Sequence, residues 1–148
     1  LGDIVEEAMT HIRRKAGRHP LFVEDEEEFL LVRADAKLIV QVIVNIVDNA
    51  IKYTVPGSSV TIITKRSESK AIVQIADTGN GISDKEKERI FDKFYCGTNK
   101  IADNRRSLGL GLYLCRAIVE AHGGSIHVTD NKPQGAVFSF TLPLEEVR

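Results

Sequence analysis

The 148-residue sequence contains no tryptophan, and aromatic side chains make up only 6% of it. That scarcity argues against the stacked aromatic platforms on which single-stranded nucleic acids are held. Neither sign of charge dominates. Twenty Lys and Arg face 21 Asp and Glu, for a net charge of −1. Nothing in that balance points to nucleic acid or an anionic membrane surface as the main partner. There are two cysteines, Cys96 and Cys115, which form neither a disulfide framework nor a metal-type spacing. A reducing, cytosolic setting is the simplest reading. The longest apolar stretch is broken at Gln41, Asn45 and Asp48, so no segment reads as a bilayer span, and no signal peptide is visible. The chain also lacks an opening methionine. Beginning at Leu1, it reads as a piece of a longer protein whose sensing or membrane parts lie elsewhere. Low-complexity segments and internal repeats are absent as well. What is present is a 43% share of hydrophobic residues, enough for one globular core.

Hydrophobic periodicity divides the chain. Ile4, Val5, Ala8, Met9 and Ile12 fall at helical spacing and predict a short amphipathic lead-in helix. The stretches "LFV" and "LLVRA" flank the acidic run "EDEEEF" and predict two strands around an exposed turn. Asp35 can cap a long helix running to about Tyr53. "SVTIITKRS" and "AIVQIAD" alternate apolar and polar residues, as adjacent strands do, with a turn near Glu68–Lys70. Ser83 with Glu86 three residues on predicts a capped helix start. Residues 93–107 are polar, basic and without period. "LGLGLYLCRAIVEAHGG" predicts a helix with a Gly-Gly stop. "SIHVTD" and "AVFSFTLP" predict two strands joined by "NKPQG". The expected class is α+β: a two-layer sandwich of mixed, largely antiparallel sheet with helices on one face.

Three stretches carry candidate chemistry. On the long helix Gln41, Asn45, Asp48, Asn49 and Lys52 fall within an arc about 100° wide, while nearly every other position from 38 to 51 is Ile, Val, Leu or Ala. The stripe is rich in Asn, a weak helix former, and poor in the charges that solvent-facing positions favour. Amide oxygens can ligate Mg²⁺ and a lysine can pair with phosphate. In "QIADTGNGI", Asp77 ends a strand beside Gly79 and Gly81. A carboxylate there can accept from an exocyclic amine such as adenine's, and glycines permit close approach of a flat ligand. The same triplet, Asp-Thr-Gly, is also the catalytic signature of aspartic proteases, but those place it in an all-β fold. In "SLGLGLYL", Gly109 and Gly111 open a helix whose free N–H groups and dipole suit phosphate. Lys93, Lys100, Arg105 and Arg106 precede it as candidate lid cations, and Phe91 and Phe94 as apolar anchors of that loop.

Together these stretches resemble the catalytic, ATP-binding domain of sensor histidine kinases, within the gyrase/Hsp90/histidine-kinase/MutL superfamily. "NIVDNAIKY" resembles the N box, "DTGNGI" the G1 box, "IFDKF" the F box and "LGLGL" the G2 box. "HGGSI…GAVFSFTLP" resembles the closing segment. The match runs over roughly residues 20 to 143, and its last third looks most like the Kdp-type potassium-sensor kinases. The resemblance implies a Bergerat-type fold, ATP and Mg²⁺ as cofactors, and these roles. Asn49 holds the metal, Asn45 lines the phosphates, Lys52 contacts phosphate and Tyr53 packs by the nucleotide. Asp77 bonds the adenine amine, with Gly79, Gly81 and Ile82 shaping that pocket. Leu108, Gly109, Leu110, Gly111 and Leu112 receive the phosphates under Lys93, Arg105 and Arg106. Asn45, Asp48 and Lys52 are the candidate catalytic residues, with Asp48 either orienting or deprotonating the incoming acceptor, or else serving only as an acid behind Asn49 or at the surface. Ser107 departs from the pattern, since another glycine is usual there.

The reaction implied is transfer of the ATP γ-phosphate to a histidine on a separate dimerisation domain of the same parent, and from there to a response regulator. An amide at Asn45, where hydrolytic members carry a glutamate base, favours transfer over hydrolysis. None of His11, His19, His122 or His127 lies in the family's acceptor pattern. Residues 1–19 are therefore expected to be a lead-in from the upstream acceptor domain, with 20–148 the kinase domain. This piece is expected to be a cytoplasmic monomer without nucleic-acid or membrane contact, cut from a membrane-anchored, dimeric parent. An anti-sigma-type serine kinase and a non-catalytic nucleotide-binding module remain as alternatives.

Overall fold

A computed structural model describes residues 1–13, 20–25, 30–53, 57–79, 81–87, 89–92, 111–132 and 134–145. Helix α1 spans Gly2–Arg13. Its Val5, Ala8, Met9 and Ile12 are spaced to form one stripe, and all four are buried. Strand β1 is Leu21–Asp25 and helix α2 is Ala36–Tyr53. Asp35 caps α2: its Oδ1 accepts from the N–H groups of Lys37 (3.1 Å) and Leu38 (3.4 Å), two of the donors a helix start leaves unpaired. The buried face of α2 is Ile39, Val40, Val42, Ile43, Ile46, Val47 and Ala50.

Strands β2 (Val60–Ser67) and β3 (Lys70–Asp77) form a hairpin, whose turn holds Glu68 at φ 55°. A short helix α3, Asp84–Lys87, follows, and Ser83 caps it by accepting from the Glu86 N–H at 3.2 Å. Helix α4 is Gly111–Ala121, and strands β4 (Ile126–Asp130) and β5 (Ala136–Pro143) close the chain. The Gly-Gly stop after α4 has the geometry of a Schellman cap. Gly123 sits at φ +83°, Gly124 N–H bonds the Val119 carbonyl (3.0 Å), and Gly123 N–H bonds that of Glu120 (3.0 Å).

The five strands lie in the order β1-β2-β3-β5-β4. Every neighbouring pair is antiparallel except β1–β2. That one parallel pair is joined through α2, the kind of long crossover a parallel pairing needs. Burial alternates along β2, β3 and β5, so one sheet face, with Ile62, Val73, Ile75, Phe138, Phe140 and Leu142, forms the core. Helix α2 lies over β2 and β3, α4 over β4 and β5, and α1 against α2. This is the expected α+β sandwich, and α1 contributes to the same core as α2 and the sheet.

One expected strand does not form. In "LLVRA", Val32 makes a single antiparallel bridge to Leu144, supported by a bond from the Glu145 N–H to the Leu31 carbonyl at 2.8 Å. The partner stretch lies just past Pro143, which has no N–H to extend a ladder, and three residues after Val32 the chain is already capping α2 at Asp35.

Candidate functional site

Asp77 is the last residue of β3, paired with Val60 at the start of β2, and it is only 5% exposed. Its carboxylate is fixed through one oxygen. Oδ1 accepts from the Gly79 N–H at 2.9 Å and from the Ala136 N–H at 3.2 Å. Burial pushes the Asp77 carboxyl above the usual aspartate range, and the two backbone bonds pull it partly back. The turn that follows is clamped by the β4–β5 connection. Asn131 Nδ2 donates to the Asp77 carbonyl at 2.7 Å, and Gln134 Nε2 to the Thr78 carbonyl at 2.9 Å. On the other side the Ser59 N–H donates to Thr78 Oγ1 at 2.9 Å.

Two glycines make this closeness possible. Gly135 adopts φ +111°, and a Cβ there would stand 1.9 Å from the Asp77 carbonyl oxygen. Gly81 adopts φ +79°, and a Cβ there would meet the Gly135 carbonyl oxygen at 3.1 Å. The expected freedom of the glycine turn is thus used at Gly81, while Gly79 contributes its N–H. Ile82, half-buried, packs against the core next to it. Further on, Lys87 bridges Asp84 (2.9 Å) and Asp130 (2.6 Å), tying α3 to the end of β4. Phe91 is buried and meets Phe138 edge to face, centroids 6.0 Å apart.

The side chains of the α2 stripe are described from Gln41 to Asn49. Gln41 is exposed, and Asn45, Asp48 and Asn49 are half-buried at the margin of the core. Gln41 Nε2 donates to Asn45 Oδ1 at 2.9 Å. Lys52 and Tyr53 occupy the last turn of the helix. Only six residues, 54–59, separate Tyr53 from Val60, the partner of Asp77. The C-terminal end of α2 and the Asp77 turn therefore share one end of the sheet.

Helix α4 runs antiparallel to α2. His122, just past α4, accepts at Nε2 from the Asp35 N–H (3.1 Å) at the start of α2, and the Cys115 thiol donates to the Val42 carbonyl at 3.7 Å. The same register carries Gly111 and Leu112 toward the half of α2 that bears Asn45 and Asn49. An N-terminal helix end there is a region of positive potential. Cys115 is fully buried, and its thiol is pushed up to about 12 by that burial, against which a hydrogen bond from the Asn45 side chain works.

Of the sequence-predicted positions, Lys93, Phe94, Lys100, Arg105, Arg106, Ser107, Leu108, Gly109 and Leu110 lie outside the described residues. Among the described histidines, His11 and His127 are exposed on α1 and β4, and His122 is a structural bridge. Sequence reasoning missed Asn131 and Gln134. "NKPQG" reads as turn chemistry and nothing more, because the groups it serves lie 54 and 56 residues away. The protease reading of Asp-Thr-Gly fails on the fold, since the triplet ends a strand of a helix-covered mixed sheet.

A sheet layered with helices on one face, a strand-end carboxylate and an amide-bearing helix describe a nucleotide-handling ATPase class. The family profile described as "Histidine kinase-, DNA gyrase B-, and HSP90-like ATPase" matches residues 34–146, and the chain belongs to that family. It is 38% identical to Sensor protein KdpD of Clostridium acetobutylicum over 143 residues, covering 97% of this chain and 16% of that protein. It is 47% identical to the adaptive-response sensory kinase SasA of Rippkaea orientalis over 114 residues, 76% of this chain and 29% of that one. The chain thus spans less than a third of either relative. Among solved structures, the nucleotide-free catalytic domain of histidine kinase ThkA superposes with a TM-score of 0.84 at 32% identity, over 97% of this chain and 91% of that one. ThkA in complex with response regulator protein TrrA superposes with a TM-score of 0.81 at 30% identity, over 98% of this chain and 40% of the other. The resemblance read from the four boxes is borne out. Among the described residues, no helix is long and apolar enough to cross a membrane.

Proposed function

We propose that this chain is the ATP-binding catalytic domain of a sensor histidine kinase, delivering the γ-phosphate of ATP to a histidine on a separate domain of its parent. The observation that carries the proposal is the Asp77 carboxylate. Both of its described bonds fall on Oδ1, which aims the remaining oxygen as an acceptor for the adenine amine. A strand-end acid so fixed, at the end of the sheet where α2 brings its amides, suits a purine at one side and its phosphates at the other.

The donor set also fits Mg²⁺. Groups of three or more His, Cys, Asp or Glu that would make an all-protein metal cage are absent among the described residues. Mg²⁺ characteristically keeps most of its shell as water and substrate phosphate, taking few protein oxygens. Asn49 would hold it, and when bound it supplies charge neutralisation on the polyphosphate. Asn45 lines the phosphates and Lys52 pairs with them. Gly109, and Gly111 at the start of α4, would receive them together with the cations Lys93, Arg105 and Arg106. Leu108, Leu110 and Leu112 are assigned to the same phosphate-binding segment, and Gly79, Gly81, Ile82 and Tyr53 to the nucleotide pocket. Asp48 orients the incoming imidazole. Catalysis is then positioning plus electrostatic stabilisation of a loose phosphoryl transition state.

The acceptor belongs to a dimerising helical domain upstream, joined through the stretch around residues 1–19, and the phosphoryl group passes on to a response regulator. The parent is a membrane-anchored homodimer, and this domain is its cytoplasmic part. The test is Asp77→Asn, titrated with ATP. Asn keeps an oxygen for the Gly79 and Ala136 N–H groups but presents an NH₂ to the adenine amine. A loss of affinity of about tenfold or more, the cost of one mispaired buried hydrogen bond, is expected. Wild-type affinity in that variant refutes the assignment.

A further inference from the structure

At the end of β3 the main chain exchanges its partners on both sides. The Thr78 N–H donates to the Ser59 carbonyl at 3.2 Å, so Thr78 faces β2. Main-chain groups alternate sides along a strand, so Asp77 faces β5. A regular next rung would send the Ala136 N–H to the Asp77 carbonyl. The register stops one pair earlier, at Ala76↔Val137, and the Ala136 N–H goes to Asp77 Oδ1 at 3.2 Å. The same exchange occurs toward β2. The Ser59 N–H goes to Thr78 Oγ1 at 2.9 Å rather than to the Thr78 carbonyl. Two main-chain carbonyls are thereby released, and the β4–β5 connection supplies a side-chain amide to each. Asn131 donates to that of Asp77 at 2.7 Å, and Gln134 to that of Thr78 at 2.9 Å.

The orientation of the Asn131 amide is settled by its partners. A main-chain carbonyl only accepts, so Nδ2 faces Asp77. The Lys132 N–H only donates, and it reaches Asn131 Oδ1 at 2.9 Å. The Asn131 N–H bonds the Gly135 carbonyl at 2.9 Å, which closes the loop that carries the amide.

We propose that Asn131 is a positioning residue for purine recognition: by taking the Asp77 carbonyl it releases the Ala136 N–H to the Asp77 carboxylate, which fixes Oδ1 and leaves the outer oxygen aimed at the adenine amine. The proposal rests on the nucleotide-binding reading above. Gly79 alone is the weaker anchor, because it belongs to the same turn and moves with it, whereas Ala136 ties the carboxylate to the sheet. Without the Asn131 amide the Asp77 carbonyl loses its donor, a cost that the Ala136 N–H removes by returning to the ladder. The carboxylate then keeps only Gly79, and its side chain is free to turn.

The test follows the backbone amides of ¹⁵N-labelled chain while Asp77 titrates. An N–H bonded to a carboxylate shifts as that carboxylate takes up a proton, and Asp77→Asn identifies the shifts that belong to Asp77. The other charges near the loop are Asp130, paired with Lys87, and the exposed Lys132. In the wild-type chain Gly79 and Ala136 are expected to titrate together. In Asn131→Ala, Gly79 keeps its titration and Ala136 loses it. The Gly79 midpoint moves to higher pH, because one bond to the charged form is gone. Affinities for adenosine and for Mg-ATP fall by the same factor, about tenfold, the scale of one hydrogen bond to a charged group. Asn131→Asp keeps the acceptor for Lys132 but, once ionised, cannot donate. At neutral pH it moves the Ala136 resonance and lowers both affinities likewise, even at high salt, where its charge is screened. Gln134→Ala moves the Ser59 amide and leaves the Ala136 titration in place. An Ala136 amide that still titrates in Asn131→Ala, or that does not titrate in the wild type, overturns the proposal. So does wild-type adenosine affinity in Asn131→Ala while Asp77→Asn binds weakly. If Asp77→Asn itself binds adenosine as the wild type does, the nucleotide reading falls and takes the purine role with it, while the amide shifts still decide whether Asn131 governs the Ala136 bond.

Discussion

The Ala136 backbone N–H reaches Oδ1 of Asp77 at 3.2 Å from 59 residues further along the chain. With the Gly79 N–H it fixes a carboxylate that burial makes costly to ionise. Main-chain donors, rather than a basic partner among the described residues, hold this buried acid in place, which leaves its outer oxygen for a ligand.

The pH dependence follows from that balance. For Asp77 the folded-state value is raised above the unfolded one, so the folded protein holds its proton more tightly. The stability this contributes is present at low pH and is lost as pH climbs from the ordinary aspartate value through the raised one. Asp77→Asn removes the titration. Chemical denaturation from acidic to neutral pH is expected to show a flatter profile for the variant, with stability at neutral pH equal to or above wild type. ATP affinity of the wild type is expected to fade on acidification at a higher pH than an unperturbed aspartate would give.

Gly135→Ala is expected to be severe. The new methyl group would overlap the Asp77 carbonyl oxygen at 1.9 Å, in a backbone region of φ +111° that L side chains avoid. The combined strain and displacement should cost about 3 kcal/mol or more. Thermal melts measure it, and nucleotide affinity should fall with it, because the clamp over the Asp77 turn is pushed away.

His122 joins the ends of two helices. Because the Asp35 N–H is a donor, Nε2 must accept, which leaves the proton on Nδ1 to donate to the Ile118 carbonyl at 2.8 Å. His122→Phe keeps an aromatic ring and loses both bonds. Its expected destabilisation is about 1–2 kcal/mol, read by urea denaturation, with nucleotide affinity in the remaining folded protein unchanged.

Cys115 is fully buried and its thiol is pushed up to about 12, so the reactive thiolate is scarce at neutral pH. In a Cys96→Ser background, a thiol-specific chromogenic reagent should label Cys115 only as the protein unfolds. Rapid labelling of the native protein would contradict the packing of α4 on α2.

Local pattern made much of this molecule legible. The 3.6-residue period of α2 and the cap at Asp35 depend on neighbours within a few residues, as do the β2–β3 and β4–β5 hairpins and the Gly123–Gly124 stop. The candidate site was legible where it was local: the Asn45–Asn49 spacing and the turn after Asp77. What stayed hidden was set by distant partners. The parallel pairing of β1 with β2 depends on a crossover, and the alternation of β1 carries no direction. Val32 fails to extend into a strand because of where Pro143 lies. Asn131, Gln134 and Ala136 serve the Asp77 turn from more than 50 residues away, a relation that no spacing rule encodes.

The clamp from β5 also sets an order of events during synthesis. Until Gly135 and Ala136 leave the ribosome, the carboxylate at Asp77 lacks one of its two main-chain donors, and the sheet lacks the strand between β3 and β4. A nascent chain halted before that point carries the amide helix and the glycine turn, yet lacks the clamp that the proposed purine site requires. On the proposed function, nucleotide would stabilise only chains that have closed their sheet.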